Sequence, residues 1–377
     1  MRIGIDCRMY STQFTGIGRY VFELTQKLFQ IDTKNQYVLF FNQPEYSMFQ
    51  PPNDRVTKVL VNAPHYSFKE QTRFLRAIKK QDLDLMHFTH FNAPLFYNRP
   101  SVVTIHDLTL SFYPGKKMTS LIHRLAYHLI LKNAVKKAKK VIAVSNNTKN
   151  DLRVLLGTPA EKIEVIYEGI NDNFKQQINE HTINATLQKY KIDKPYLLYT
   201  GVWRSHKNLP NLINAFHILK TEYGFDGYLI ITGKSDPVYE PELKEKTMTF
   251  QLQDDIFFTG LVSEEELVAL YKGAIAYVFP SYYEGFGLPP LESMAAGTPV
   301  AASNSSCIPE VCGNDLQNPT ALFFDPKNPR DIAEKTFRLI SEKSLRQQLI
   351  TNGLNHIKQY TWPQMAQQTL NLYTAPP

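Results

Sequence analysis

Glu284 and Glu292 lie in a stretch of the chain, residues 279–299, that reads FPSYYEGFGLPPLESMAAGTP. The first glutamate follows an apolar run and stands in a glycine-bearing loop, and the second follows a pair of prolines. Pro289 suits the first turn of a helix, and Gly297 suits the left-handed residue that ends one. The stretch therefore predicts a strand, a loop and a short helix, with one carboxylate on the loop and the other on the helix.

The loop between the two glutamates is suited to holding a ligand. Gly285 and Gly287 carry no Cβ, so backbone N–H groups there can approach a bound molecule closely. The loop leads into the first turn of the predicted helix, where N–H groups lack partners and the helix dipole attracts anions. This predicts a site for phosphate or for sugar hydroxyls, although a glycine loop before a helix is too common to identify one function.

Two further segments place candidate residues at the ends of apolar runs. His106 follows the run 102–105, and Gly16 and Gly18 follow the first apolar run and precede a helical pattern that starts at Arg19. Ligands of parallel α/β sheets bind beyond the carboxyl ends of the strands, which is where both segments are expected. The GxGxxG pattern of a dinucleotide site is absent, and a tight turn that packs helix on strand is the alternative for the two glycines.

Apolar runs and helical patterns alternate along the whole chain. This alternation predicts an α/β fold of two Rossmann-like, doubly wound domains with mostly parallel sheets that face a central cleft. The stretch 173–194 turns polar and is the predicted boundary. We expect an N-terminal domain over residues 1–178 and a C-terminal domain over residues 190–361.

Charge and composition limit the class of protein. The 377 residues carry a net charge of +7, which favours an anionic partner such as a nucleotide. The three cysteines form no C-x-x-C pair and no signal-peptide pattern follows Met1. We therefore expect a cytoplasmic protein without disulfides or a zinc site. No apolar run reaches the roughly 18 residues that a spanning helix needs.

Segment 116–140 is basic and carries an apolar stripe. No acidic residue lies between Asp107 and Asp151, whereas nine lysines and arginines do. The stripe consists of Leu121, Leu125, Leu129 and Ile130. The pattern fits either a solvated surface helix or a helix that binds the anionic lipids of a membrane surface. Nucleic acid is not expected as a partner, because no nucleic-acid-binding motif accompanies the charge.

Four blocks of sequence resemble a known enzyme family. They are IGIDCR with TGIGRY, VTIHDL, YTGVWRSHKNL, and the stretch that begins at Glu284. In content and order they resemble the retaining glycosyltransferases of family 4 (glycosyl transferases group 1), which have the two-domain GT-B fold. The block at Tyr360 resembles the segment whose final helix returns to the first domain, so residues 362–377 are expected to join that domain. The resemblance also implies that the N-terminal domain lies on the acceptor side and that the C-terminal domain binds the nucleotide-sugar donor.

The resemblance assigns roles to the candidate residues. It implies that Glu284 contacts hydroxyls of the donor sugar, that Glu292 binds the ribose, and that His106 orients the sugar near the reaction centre. Arg204 and Lys207 supply cations of the kind that bind a diphosphate. With His106 and Glu284 they form the predicted catalytic set. Backbone groups complete the predicted donor site, at Gly16, Gly18, Val262, Gly285, Phe286, Gly287 and Leu288.

The implied reaction moves a hexose from a nucleotide-sugar to a saccharide or lipid-linked acceptor, without a metal or other cofactor. His206 stands before Lys207 where many relatives have arginine, and this variant resembles bacterial mannosyltransferases of surface polysaccharides such as lipopolysaccharide. GDP-mannose is therefore the favoured donor, and a UDP-sugar stays open. We expect a cytoplasmic enzyme, peripheral at the inner face of the membrane.

Other readings of the same residues remain. One is a different GT-B enzyme that uses a UDP- or ADP-sugar, such as an epimerase or a glucan synthase. Another is a noncatalytic subunit that binds a nucleotide-sugar. His87 and His90 have a spacing that could suggest a metal site, but no further ligands accompany them, so we predict none.

Overall fold

The computed structural model describes residues 1–11, 16–115 and 121–375. The chain forms two compact units. Unit 1 comprises Met1–Leu108, Met118–Gly169 and Tyr360–Pro377, and unit 2 comprises Thr109–Lys117 and Ile170–Gln359. Each contains a parallel sheet with helices, which confirms the predicted α/β class with two parallel-sheet domains. The roles of the two domains in binding acceptor and donor stay a prediction.

Unit 1 is built on a sheet whose strands alternate with helices. The strands are β1 Arg2–Asp6, β2 Gln36–Phe41, β3 Val56–Leu60, β4 Leu85–Phe88, β5 Ser101–Ile105, β6 Lys140–Ala143 and β7 Ile163–Val165. The helices are α1 Gly16–Ile31, α2 Glu45–Met48, α3 Leu75–Lys79, α5 Leu121–Lys137, α6 Asn146–Leu156 and, from the end of the chain, α15 Trp362–Thr374. A π-helical turn, Glu70–Phe74, precedes α3.

Unit 2 repeats the plan. Its strands are β8 Tyr196–Thr200, β9 Tyr228–Thr232, β10 Ile256–Gly260, β11 Ala276–Phe279, β12 Val300–Ser303 and β13 Ala321–Phe324. Its helices are α4 Thr109–Phe112, α7 Glu180–Lys189, α8 Leu209–Thr221, α9 Glu240–Thr249, α10 Glu264–Gly273, α11 Leu288–Ala295, α12 Ile308–Cys312, α13 Pro329–Ser341 and α14 Lys343–His356.

Both sheets reverse their winding direction at a central pair of strands. In the described residues the order is β3-β2-β1-β4-β5-β6-β7 in unit 1 and β10-β9-β8-β11-β12-β13 in unit 2. The strands pair in parallel, for instance β8 with β11. The reversal lies between β1 and β4 and between β8 and β11. The loops that leave these strands diverge, and the crevice between them is where open α/β sheets bind ligands.

The C-terminal helix belongs to the core of unit 1. Trp362, Met365, Ala366 and Tyr373 of α15 share one buried cluster with strand and helix residues such as Leu24 of α1. Thr361 caps the helix by accepting a hydrogen bond from the backbone N–H of Gln364. Because this helix lies in unit 1, the compact units do not follow the linear order of the chain.

The start of α1 differs from the prediction. The helical pattern predicts a glycine turn followed by a helix from Arg19, but the helix begins at Gly16, so both glycines lie in its first turn. Glycine is a poor helix former, which is why sequence patterning assigns it to a turn. Thr15 of the same block, and Lys116, Lys117 and Ser120 of the predicted basic helix, lie outside the described residues.

Candidate active site

Unit 2 brings Lys207 and Glu284 into contact. Lys207 ends a one-turn 3-10 helix that follows β8, and Glu284 lies on the loop after β11. The Lys207 Nζ donates to both carboxylate oxygens, at 2.6 Å to Oε1 and 2.8 Å to Oε2. The side chains are 16% and 12% exposed. The two loops meet because β8 and β11 are the strands at which the sheet reverses its winding.

The loop that carries Glu284 is fixed by the segment after β12. The Ser306 hydroxyl donates to the Glu284 carbonyl at 2.7 Å and lies 3.2 Å from the Glu284 backbone nitrogen. The buried Cys307 thiol lies 3.2 Å from the carbonyls of Glu284 and Phe286. Burial raises the pKa of this thiol well above its usual range, so it is a neutral donor. The Glu284 backbone is therefore held in place.

Glu292 projects from the first turns of α11. Gly287 precedes the helix with φ 91°, a left-handed conformation that glycine adopts without strain, and the helix has proline in its first turn. The Tyr271 hydroxyl lies 3.3 Å from Oε2 of Glu292 and 2.8 Å from the hydroxyl of Thr200. Glu292 is half-buried. A hydrogen-bonded tyrosine thus orients this carboxylate at the carboxyl end of β8.

The neighbouring strand ends of unit 2 approach each other through glycines. Gly233, after β9, has φ 124°, and a Cβ there would lie 2.1 Å from the Gly201 carbonyl oxygen, so a side chain does not fit. The Gly233 N–H donates to the Gly260 carbonyl at 2.9 Å. Val262, the predicted neighbour of the base, is half-buried two residues after β10 ends. This sheet edge presents backbone rather than large side chains.

Arg204 takes no part in the Lys207–Glu284 ion pair. Its side chain is exposed and has no hydrogen-bonding or charged partner among the described residues. It borders a cavity of about 260 Å³ formed with Trp203, Ser205, Asn208, Leu209, Pro210, Asn211, Tyr239, Glu242, Leu243 and Tyr282. Arg204 is the one predicted site residue that lines this cavity.

In unit 1, His106 follows β5 and is enclosed by protein groups. Its Nδ1 lies 3.1 Å from Oε1 of Glu168, and its Nε2 lies 3.0 Å from the carbonyl oxygen of Thr89. The Tyr20 ring packs edge-on against the imidazole at 4.7 Å between centroids. The side chain is 8% exposed. His106 is thus held at the predicted sheet edge with both ring nitrogens engaged.

Gly16 and Gly18 contribute backbone groups to the N-terminal turn of α1. Gly16 is exposed and Gly18 is buried. A Cβ at Gly16 would meet none of the described atoms within 4 Å. The first N–H groups of a helix lack intrahelical acceptors and attract anions.

His87 and His90 make contacts within unit 1. The ring nitrogens of His87 lie 2.5 Å from the Tyr373 hydroxyl and 2.8 Å from the Thr104 hydroxyl. His90 pairs with Asn92 and packs on Phe91 at 4.2 Å between ring centroids. Burial, and then the neighbouring charge of His106, lowers the pKa of each to about 3, so both rings are neutral at pH 7.

The described part of the chain contains neither a metal-ligand cluster nor a membrane-spanning helix. No three His, Cys, Asp or Glu side chains are arranged there to hold a metal ion. None of its helices combines the length and the apolar character that crossing a bilayer requires.

Sequence reasoning missed several residues that shape these sites. Tyr271, Ser306 and Glu168 contact Glu292, Glu284 and His106, respectively. No local pattern marks them, because each partner lies far away along the chain. Gly233 could be noticed in the sequence, because a glycine directly follows an apolar strand there. The reason that glycine is needed, the close approach of the Gly201 backbone, is visible only in the structure.

Comparisons with known proteins identify the family of this chain. The model of the family Glycosyl transferases group 1 matches residues 182–356, and that of Glycosyltransferase Family 4 matches residues 14–174. The O-antigen chain mannosyltransferase RfbU of Salmonella typhimurium is 30% identical over 308 residues, which cover 81% of this chain and 77% of that protein. The O-antigen chain mannosyltransferase B of Escherichia coli is 26% identical, over 95% of this chain and 96% of that protein.

A solved structure supports the fold independently. Sucrose-phosphate synthase from Thermosynechococcus elongatus superposes with a TM-score of 0.80 at 20% identity, over 99% of this chain and 98% of that chain. The two family models match segments of both compact units, and the match to RfbU extends over most of both proteins. This chain belongs to glycosyltransferase family 4, the group 1 glycosyltransferases, and is a glycosyltransferase.

Proposed function

We propose that this glycosyltransferase transfers mannose from GDP-mannose to a saccharide or lipid-linked acceptor, with retention of the anomeric configuration and without a metal ion. The observation that carries the proposal is the Lys207–Glu284 pair beside the helix that bears Glu292. The mannose donor is favoured because two relatives that cover most of this chain are named O-antigen mannosyltransferases.

The ion pair is suited to a site that must receive a diphosphate. Lys207 and Glu284 neutralise each other, so neither is an unpaired charge before the donor arrives. A diphosphate would compete with Glu284 for the ammonium group, and the released carboxylate could accept hydrogen bonds from sugar hydroxyls. In the transition state Lys207 would stabilise the negative charge that develops on the departing diphosphate.

The remaining residues have complementary roles in this proposal. Glu292, held by Tyr271, accepts hydrogen bonds from the ribose diol, and Val262 borders the base. The backbone of Gly285, Phe286, Gly287 and Leu288 lies beside the sugar and phosphate at the N-terminus of α11. Arg204 provides a second cation for the phosphates, Gly16 and Gly18 offer backbone N–H groups, and His106 orients the donor sugar.

Helix α5 supports a further proposal, that the enzyme binds peripherally to an anionic membrane surface. Tyr127, Leu131, Ala134 and Val135 pack into unit 1, whereas the predicted apolar stripe lies largely on the opposite face. There Leu121, Ile122, Leu125 and Leu129 are 79%, 77%, 71% and 56% exposed. Lys132 and Lys136 continue that face. An exposed apolar face joined to basic residues fits lipid acyl chains beneath anionic headgroups.

The proposed reaction is tested by presenting the purified enzyme with GDP-mannose or UDP-glucose together with a saccharide acceptor. We expect GDP-mannose to raise the melting temperature and to yield an α-mannosylated product by NMR, with turnover unchanged in EDTA. In Glu284→Gln, kcat should fall about 100-fold, whereas Glu245→Gln, on an exposed face of α9, should behave as wild type. Stabilisation by UDP-glucose alone would contradict the GDP-mannose assignment, and an inverted product would contradict retention.

A further inference from the structure

Glu168 is a carboxylate that the family resemblance does not assign, and it contacts His106. It follows β7 and is 5% exposed. Its Oε1 lies 3.1 Å from Nδ1 of His106. The next residue, Gly169, has no room for a side chain, because a Cβ there would lie 2.3 Å from the backbone nitrogen of Trp362. The start of α15 therefore fixes the backbone from which Glu168 reaches His106.

The partners of His106 determine where its protons lie. The Thr89 carbonyl can only accept a hydrogen bond, so Nε2 must carry a proton. The other nitrogen, Nδ1, shares a proton with the Glu168 carboxyl group, either as an ion pair or as a neutral acid bonded to the ring. In both forms neither ring nitrogen keeps a free lone pair. His106 therefore cannot accept a proton from a substrate while these contacts persist.

The groups that face His106 reinforce this arrangement. The Tyr20 ring packs edge-on against the imidazole, and the His90 ring stacks on it at 6.2 Å between centroids. The Tyr20 hydroxyl bonds the Thr104 hydroxyl at 3.0 Å, which in turn lies 2.8 Å from Nε2 of His87. His87 and His90 are neutral, as described above, so Glu168 is the carboxylate in contact with the ring.

We propose that Glu168 is a positioning residue for the transfer reaction, which fixes the His106 ring and occupies its Nδ1. This inference rests on the proposed role of His106 at the donor sugar. The pair would then act through the fixed orientation of the ring, with no proton transfer to or from the substrate. Release of Nδ1 would let the ring turn and would expose a basic nitrogen to the substrate.

The test compares Glu168→Gln with Glu164→Gln, a matched control at an exposed position of β7. We expect kcat to fall at least tenfold in Glu168→Gln, with the dissociation constant for the nucleotide unchanged within twofold. Glu164→Gln should behave as wild type. Circular dichroism establishes that both variants are folded. An unchanged kcat in folded Glu168→Gln would overturn the proposal.

A spectroscopic measurement separates positioning from a general loss of structure. In ¹⁵N-histidine-labelled protein, with His106 identified by its loss in His106→Gln, the Nδ1 resonance should shift between wild type and Glu168→Gln, because the variant lacks the carboxyl group with which Nδ1 shares a proton. A free Nδ1 in wild type, or identical spectra in the two proteins, would overturn the proposal. This measurement needs no turnover, so failure of the proposed mannosyl transfer would be recognised separately.

Discussion

Lys207 and Glu284 derive their properties from each other. Each side chain is mostly removed from solvent, where an unpaired charge is costly, and the bidentate contact offsets that cost. Their separation along the chain gives no hint of this contact. From the sequence, Lys207 is predicted to bind the diphosphate and Glu284 the sugar of one ligand. The pair is therefore expected both to stabilise unit 2 and to bind the donor.

Removal of Lys207 should therefore affect both stability and binding. In Lys207→Met, Glu284 lacks its cation. We therefore expect the free energy of unfolding of unit 2 to fall by about 1–3 kcal/mol. This is less than the roughly 3–5 kcal/mol that follows when one partner of a fully buried pair is removed. The double variant Lys207→Met/Glu284→Gln should recover most of that stability and still fail to bind the donor. Urea unfolding and calorimetry with the nucleotide-sugar measure the two effects.

A second ion pair of unit 2 provides the control. Lys220 and Asp255 lie 2.8 Å apart with side chains 19% and 23% exposed, similar to the Lys207–Glu284 pair. Lys220→Met/Asp255→Asn should keep donor binding. Unchanged stability and affinity in Lys207→Met would contradict the account of this pair.

His87 makes the stability of unit 1 depend on pH. Its pKa is lowered to about 3, below the ordinary value of 6.5, so the unfolded chain takes up a proton that the folded one resists. The contribution of His87 to the free energy of unfolding is fully present above pH 6.5. It falls by about 1.4 kcal/mol per pH unit below that value. Between pH 7 and pH 5, the free energy of unfolding of unit 1 should fall by about 2 kcal/mol more in wild type than in His87→Gln.

The measurement can be confined to unit 1. Trp203 lies in unit 2 and Trp362 in unit 1, and these are the two tryptophans of the chain. In a Trp203→Phe background, Trp362 fluorescence follows the urea unfolding of unit 1. If the free energy of unfolding of unit 1 depends on pH in the same way in wild type and in His87→Gln, His87 does not titrate as described.

At the residue scale, the sequence predicts which groups are present but not which groups they contact. His106 is predicted at a strand end, and it lies there. Its bonds to Glu168 and Thr89 depend on segments that only the folded sheet brings together. Arg204 is predicted beside the phosphates from its block, and this role stays a prediction. The cavity that its side chain borders with Tyr239 and Tyr282 is not apparent from the sequence.

At the element scale, apolar runs predict the strands well because buried parallel strands are apolar on both faces. The loop and helix that carry Glu284 and Glu292 also follow the predicted order, with Gly297 left-handed at φ 79°. Helix ends are less predictable. At Gly16 the helix includes glycines that patterning assigns to a turn.

Helix α5 has two apolar faces, which a single predicted stripe does not distinguish. The buried face packs into unit 1, and the other face is exposed. In Ile122→Ser/Leu125→Ser, we expect at least tenfold weaker binding to phosphatidylglycerol vesicles, because two exposed side chains no longer insert. Stability should stay within about 0.5 kcal/mol, since both positions are exposed. Vesicle sedimentation and thermal unfolding measure these quantities.

Another exposed apolar pair on a helix of unit 1 is the control. Val154 and Leu155 of α6 are 73% and 44% exposed. Val154→Ser/Leu155→Ser should bind vesicles as wild type does. Equal loss of binding in both double variants, or equal affinity of wild type for phosphatidylcholine vesicles, would contradict a specific anionic docking face on α5.

At the scale of the molecule, the candidate residues lie at the carboxyl ends of strands, and His106 of unit 1 follows β5, which is next to β4 rather than at the reversal between β1 and β4. In unit 2 the reversal lies between β8 and β11, whose loops carry Lys207 and Glu284. Strand alternation in the sequence predicts parallel sheets, but the order of strands requires knowledge of which neighbours pair. The return of α15 to unit 1 likewise depends on its buried face rather than on its place in the chain.

The central claim is that unit 2 binds a nucleotide-sugar through Lys207, Glu284 and Glu292. Calorimetric titration of GDP into wild type and Glu292→Ala tests it most directly, with Glu245→Ala as the control. We predict binding to wild type and to the control, and at least tenfold weaker binding to Glu292→Ala, which loses its hydrogen bonds to the ribose. Wild type that binds neither GDP nor UDP, or equal affinity in Glu292→Ala, would contradict the account.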